Sequence, residues 1–314
     1  MKCYILDSFA SEPGTGNPAA VVLLPQDTDP KAKASWMQKV AAEFNLSETA
    51  FCWPQATNSE SSSEESSSSE EKMETHWNIR YFTPTIEVAL CGHATLASAA
   101  VLYKTIENQE NMKRKIVFHA LDDILTMELD DTSSNDDPRR TGIAMEFPNS
   151  RCQEFVNDID RKAVKSMLLS SFSCDDEPLH MGLSDLGDIL VELTPKAFHA
   201  IGYDNLDYPA MMKWDGYTRG IIICCEAPHD LTTSSCSADF LSRFFGPKAG
   251  INEDPVTGSA HCTLGPYFSK KLNKQMVVGK QCSKRGGYVG CSVTDDAVRL
   301  TGTAIMTMSG SLLM

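Results

Sequence analysis

Cys91-Gly92-His93-Ala94-Thr95 and Asp254-Pro255-Val256-Thr257-Gly258-Ser259-Ala260-His261 decide the fold, because the segments around them run in parallel. The first follows Arg80-Tyr81-Phe82-Thr83-Pro84, with Cys91 seven residues after the proline. The second follows Arg243-Phe244-Phe245-Gly246-Pro247, with Asp254 seven residues after its proline. Each then passes through a small, glycine-containing turn into an Ala/Leu-rich segment of high helix propensity. One strand–turn–helix unit is thus predicted twice, half a chain apart, which implies two lobes that each give one loop to a shared cleft. Counting from the prolines makes Cys91 and Asp254 equivalent positions.

The 314 residues suffice for two domains of ordinary size, each able to bury a core. A formal charge of −14 argues against nucleic acid and anionic membrane surfaces as partners. Residues 57–75 hold six Glu and one Lys and so contribute −5, leaving −9 on the rest. The eleven cysteines follow no regular spacing, form no Cys-x-x-Cys pair, and include Cys224-Cys225 inside an apolar run. That usage fits reduced core thiols better than a disulfide framework or a zinc site. Near the N-terminus a single Lys precedes four uncharged residues and Asp7, too short for an export signal. The apolar run Pro18–Pro25 is too short to span a bilayer, so a soluble cytoplasmic protein is expected.

In chain order, 3–9 and 17–24 read as strands around the turn Gly14-Thr15-Gly16-Asn17-Pro18. Asn17 is either an ordinary loop residue or an amide shown to a ligand. Trp36, Val40, Ala41 and Phe44 mark an amphipathic helix over 31–44. The run 45–53 that follows is strand-like, and Glu48 is its only charge. A Glu there is commonly a solvated face residue. Pointing instead into a dry cleft, it would have its pKa raised by desolvation toward neutrality and serve as a proton carrier. The Ser/Glu-rich 57–75 reads as a flexible insert in which phosphorylation is a compositional option only.

Strands are expected at 76–82, 115–119, 124–129 and 142–147, with a domain boundary at the Asp/Ser/Asn-rich 130–137. The second half reads as helix 160–169, strand 188–193, partly helical 197–213, and strands 220–226 and 240–245. A helix over 258–272 should be kinked or shortened at Gly265-Pro266. Residues 276–314 return to strands, ending in 304–308 and a turn at Gly310.

Helix N-termini at Gly92 and Gly258 are suited to an anion, through their free N–H groups and the helix dipole. Thr257 and Ser259 add hydroxyls at the second. Two such termini facing one cleft would hold a carboxylate, with Glu48, His93, Asp254 and Cys91 around the adjacent carbon. Proton abstraction there draws its help from donors aimed at the developing enolate charge and from closure of the lobes. No cofactor and no metal is needed. His93 and Cys91 each also read as ordinary half-buried residues.

Five ordered motifs, 17–21, 45–51, 82–84, 91–95 and 253–261, resemble the phenazine-biosynthesis PhzF family, including its eukaryotic phenazine biosynthesis-like-domain members. The resemblance implies an α+β, diaminopimelate-epimerase-like fold: two similar, pseudo-twofold-related lobes, each a mostly antiparallel sheet around a central helix. Residues 1–132 with about 304–314 would form one lobe and 138–303 the other, with the site between them. It implies Glu48 as catalytic acid/base, with His93 and Asp254 as proton-transfer partners. Asn17, Cys91, Gly92, Thr257, Gly258 and Ser259 would contact the substrate. It also implies a small carboxylate-bearing substrate and leaves a homodimer open. Related epimerases use two opposed thiols; Asp254 in place of the second favours an isomerase. An epimerase using Cys91 on one face and a non-catalytic regulatory role on the same scaffold are the alternatives.

Overall fold

A computed structural model describes residues 1–55, 74–105, 115–130, 137–228 and 238–313. The Ser/Glu-rich insert, up to residue 73, and most of the 130–137 break lie outside them. The chain divides into two compact units, 1–146 with 301–314, and 147–300.

In the first unit the elements are β1 (Lys2–Ser8), β2 (Asn17–Leu23), α1 (Pro30–Phe44), β3 (Glu48–Pro54), β4 (Glu74–Phe82), β5 (Glu87–Val88), α2 (Gly92–Thr105), β6 (Lys115–His119), β7 (Ile124–Leu129) and β8 (Arg140–Pro148). The last strand of the chain, running Ala297–Ser311, lies along β1 with Gly310 opposite Cys3, so the turn expected at Gly310 is instead continuous strand. Neighbours then follow β1–β2–β3–β4–β6–β7–β8, antiparallel except β2–β3 and β4–β6. β8 pairs back with the terminal strand, so this sheet closes around α2.

Almost all of α2 is buried, as its small apolar sequence requires. Its Thr95, Ser98 and Thr105 hydroxyls bond within the helix, to the carbonyls of Cys91, Ala94 and Val101, and Tyr103 donates to the Met127 carbonyl, so all four hydroxyls have partners. α1 covers the outer face through Met37, Val40 and Ala41, against Val22, Phe51, Trp53 and Phe82. Strand alternation then fixes Glu48: Phe51 and Trp53 face α1, whereas Glu48, Ala50 and Cys52 share the face turned to α2.

The sequence break at 130–137 is not where the units part. β8 pairs with β7, Met127 opposite Met145, which keeps the chain in the first unit as far as Glu146.

The second unit contains β9 (Cys152–Glu154), α3 (Asp158–Phe172), β10 (His180–Ser184), β11 (Ile189–Glu192), α4 (Pro195–Ala200), α5 (Tyr208–Met211), β12 (Ile221–Glu226), β13 (Phe240–Gly246), β14 (Ile251–Asp254), α6 (Gly258–Leu272), β15 (Met276–Gln281), β16 (Gly287–Val293) and the start of β17, the terminal strand. Its order is β9–β10–β11–β12–β13–β15–β16, with β14 added to β13 and only β11–β12 and β13–β15 parallel. Ile221, Ile223 and Cys225 pack under α3 and α4 while Ile222 and Cys224 fill the opposite face, which is why β12 reads as one apolar run.

Lying against β15 and β16, α6 runs unshortened through Pro266. A proline there deprives the carbonyl four residues back, that of Cys262, of its helical donor. The Ser150 N–H supplies one instead at 3.0 Å, so the helix continues where the sequence predicts interruption.

His261 shows how tightly this helix is built in. Its Nδ1–H donates to the Thr257 carbonyl at 2.8 Å, Nε2 has no partner, and burial lowers its pKa to about 4. The folded state thus refuses a proton that the unfolded chain accepts below about 6.5. Stability is expected to fall by about 3 kcal/mol as pH drops from 6.5 to 4 and to level off below. Urea unfolding across that range checks this, and His261→Gln should flatten the profile.

Candidate active site

In the first unit three sequence-predicted residues come together at the start of α2. Cys91 immediately precedes the helix, and its carbonyl accepts the Thr95 N–H at 3.0 Å. Tyr81 of β4 donates to the Thr95 hydroxyl at 2.6 Å, and Ser8 of β1 donates to the His93 carbonyl at 2.7 Å. Two strands of the sheet, β1 and β4, therefore pin this helix end, and the His93 ring is turned to Glu48 on β3. Nε2 lies 3.0 Å from Glu48 Oε2, and Cys91 Sγ lies 3.4 Å from Nδ1. All three side chains are buried, at 7–8% exposure.

Burial alone would raise the Glu48 pKa, which is the sequence expectation. The charge of the His93 ring, 3.0 Å away, outweighs it and leaves the carboxyl below its ordinary value. Burial likewise works against a charged His93, but Cys91 and Glu48 beside it hold the ring well above its ordinary value. Cys91 is pushed up by burial and then by the Glu48 charge. These directions favour a carboxylate at Glu48 beside an imidazolium at His93. The expectation of a Glu48 raised toward neutrality is corrected: its partner is a cation, and desolvation loses to it.

Asn17 opens β2, where Ala19 stands opposite Glu48, so Asn17 shares the inward face of that strand and is fully buried. Gly92 is the first residue of α2, and a Cβ there would meet nothing within 4 Å.

The second unit holds Asp254, Thr257, Gly258 and Ser259. Asp254 ends β14 and accepts from the Thr257 hydroxyl. The Gln281 side chain donates to the Asp254 carbonyl and accepts the Thr257 N–H, at 2.8 and 2.9 Å, locking the Asp-Pro-Val-Thr turn. Ser259 accepts from Arg219 Nη1 at 2.6 Å, and Arg219 forks onto the buried Asp188. No short-range sequence signal marked Ser8, Gln281, Arg219 or Asp188, since each acts from a distant strand or loop.

The two repeats align differently from the count taken from the prolines. Arg80 forks onto Glu87, and Arg243 forks onto Glu253. Glu87 lies five residues before the first residue of α2, and Glu253 five before that of α6. Cys91-Gly92-His93 therefore corresponds to Thr257-Gly258-Ser259, and Asp254 corresponds to Val88. A three-residue 3-10 turn, Pro247–Ala249, accounts for the offset. The second helix start carries a hydroxyl where the first carries the thiol.

A cavity of about 620 Å³ in the second unit, lined by Cys152, His180, Tyr267 and Lys271 among others, includes none of these residues. Burial, with Asp185 and Glu154 nearby, pushes the Cys152 thiol up to about 12, so it is no thiolate nucleophile at neutral pH. Among the described residues no helix is long and apolar enough to cross a membrane.

Residues 6–310 match the family model described as phenazine biosynthesis-like protein, PhzC-PhzF. A Halalkalibacterium halodurans protein named as an isomerase is 34% identical over 311 residues, 99% of this chain and 98% of that one. Phenazine biosynthesis-like domain-containing protein 1 of Mus musculus is 35% identical over 321 residues, 99% of each. The crystal structure of an Enterococcus faecalis PhzF-family protein superposes with a TM-score of 0.75 at 29% identity, covering 100% of this chain and 99% of that one. The chain therefore belongs to the phenazine biosynthesis-like, PhzC-PhzF, family, and it is an isomerase of that family.

Proposed function

We propose that this isomerase moves a proton at a carbon next to the carboxylate of a small metabolite, with Glu48 as the acid/base. The observation that carries this reading is the buried Glu48–His93 pair, 3.0 Å apart at the start of α2. Taking a carboxylate and an imidazolium out of water costs several kcal/mol each, a cost that a purely structural position avoids with apolar residues. An ionised Glu48 is ready to accept the carbon-bound proton. Protonated His93 keeps Glu48 ionised and supplies positive charge beside the charge that develops on the substrate. Return of the proton from Glu48 to a different carbon completes an isomerisation with no net gain or loss.

Cys91 lies with Glu48 in one cluster, its ligand atoms within 4.8 Å of those of Glu48 and His93. Two carriers so close address the same side of a substrate, which favours isomerisation over a two-base epimerisation. Asp254 and Ser259 serve as substrate partners in the second unit, held by Thr257, Gln281 and Arg219. Gly92 leaves room for the substrate carboxylate beside the N–H groups of α2.

The test is enzyme-dependent exchange in D2O. Small carboxylates bearing a hydrogen on the carbon next to the acid are incubated with the protein and followed by proton NMR. Loss of that signal, with migration of a double bond, is expected. Binding of such acids with no exchange in any of them contradicts the reading. Gly92→Ala tests the carboxylate seat separately. Thermal stability should hold or rise by up to about 1 kcal/mol, because the added methyl meets open space. KM should rise at least tenfold.

A further inference from the structure

The equivalence of Gly92 and Gly258 also pairs Ala97, Ala100 and Val101 of α2 with Thr263, Pro266 and Tyr267 of α6. In the first unit that helix face is apolar and wholly buried. In the second unit Pro266 and Tyr267 are only half-buried, and with Thr263 they form one wall of the cavity of about 620 Å³. Ser150, Arg151 and Cys152, at and just before β9, and His180 of β10 supply the facing wall. A space of that size on one face of a central helix suits a small organic molecule.

The walls are held in place. Tyr267 donates its hydroxyl to Oε2 of the buried Glu192 at 2.8 Å, and Lys271 donates to the other oxygen of that carboxylate. The Thr263 hydroxyl donates to that of Ser150 at 3.0 Å. The His180 ring packs 5.0 Å from the Tyr267 ring, and burial lowers its pKa, so it is a neutral flat surface at neutral pH. With the un-ionised Cys152 thiol and Pro266, the two rings make the interior of the cavity apolar.

Its edge is charged. Arg151, Lys270 and Lys271 line the cavity against one carboxylate, Glu154, in a chain of formal charge −14. Lys271 is committed to Glu192, and Glu154 lies 3.7 Å from Arg161. Arg151 and Lys270 are exposed and form no ion pair among the described residues, so they face an incoming ligand uncommitted. Apolar walls below two free cations match a flat ring that carries an anionic group.

We propose that this cavity is a second binding site, for an aromatic carboxylate whose ring lies against Tyr267, His180 and Pro266 and whose carboxylate meets Arg151 and Lys270. The site shares no residue with the Glu48–His93 cluster or with the Asp254–Ser259 loop, and it does not rest on the proton-transfer reading. The planar guanidinium of Arg151 takes a carboxylate through paired N–H groups, and Lys270 adds a point charge.

The experiment titrates the full-length, reduced protein with 2-naphthoate by calorimetry, and with 2-naphthamide as its uncharged counterpart. Saturable binding of the acid is expected, with the amide about tenfold weaker. The double variant Arg151→Gln/Lys270→Gln should weaken the acid about tenfold at an unchanged melting temperature, because both side chains are exposed. Gly92→Ala, which alters the first unit, should leave the affinity for 2-naphthoate as it is. A crystal structure of the unmutated protein with 2-naphthoate needs no variant: the ring is expected between α6 and β10. No binding, equal binding of the amide, or a ring found elsewhere overturns the proposal. So does an affinity lost in Gly92→Ala and kept in the double variant, which would place the acid at the proton-transfer site.

Discussion

Replacing Glu48 by Gln is expected to lower turnover by about 10²- to 10⁴-fold while the protein stays folded. Gln has the shape of Glu, so the strand and the start of α2 keep their packing. What is lost is the group that takes the proton. The pH dependence of stability should change with it. The Glu48 carboxyl is lowered in the folded state, so it contributes stability above about 4.5 that is lost as pH falls through its lowered value. His93 is raised, so its contribution is present below about 6.5 and is lost as pH rises through its raised value. The pair therefore stabilises between those limits, and Glu48→Gln should remove that plateau. Turnover and urea unfolding from pH 4 to 9, on both proteins, check the two effects. A variant with full turnover would remove Glu48 from the chemistry.

The largest expected loss of stability lies in the second unit, at Arg243. Its side chain is 3% exposed and that of Glu253 is 11% exposed. The guanidinium forks onto Glu253 at 2.7 and 3.0 Å and donates from Nη1 to the carbonyls of Ile201 and Gly202, both at 3.0 Å. The Tyr203 and Phe245 rings lie 4.7 and 5.0 Å from its central carbon. Arg243→Met fills the volume but leaves a buried carboxylate and two carbonyls without their donor. A loss of about 3–5 kcal/mol in unfolding free energy is expected. Adding Glu253→Leu removes the stranded charge and should restore a large part of it. The equivalent Arg80 and Glu87 are more exposed, at 12% and 25%, and Arg80→Met should cost less. Denaturant melts of the four proteins give the comparison.

These two arginines also show what was legible in the sequence and what was not. The paired Arg-x-Phe segments marked the repeat, and most strands and helices fell where apolar periodicity put them. Equivalence within the repeat was misread because the 3-10 turn Pro247–Ala249 adds three residues ahead of the second loop. A fixed distance from a proline cannot register that, whereas the arginine's glutamate partner does. The break at α6 was over-read for a similar reason: proline removes one donor, and only the fold reveals that Ser150 replaces it.

At the site, Glu48 and His93 were readable as candidates because a lone carboxylate in an apolar strand and a histidine at a helix start are both costly placements. Their mutual distance was not readable, since 45 residues separate them, and with it went the sign of the Glu48 pKa. Desolvation can be foreseen from an apolar neighbourhood. A cation delivered from another element cannot.

The most direct test of the charged Glu48–His93 pair is the protonation state of His93 itself. Nitrogen-15 NMR of the histidine ring in the substrate-free, metal-free protein, assigned with a His93→Gln variant, reads it without any assay. An imidazolium that persists well above pH 6.5 and becomes a neutral ring in Glu48→Gln is the predicted result. A His93 ring already neutral at pH 6.5, or one whose titration is unmoved by Glu48→Gln, would contradict it.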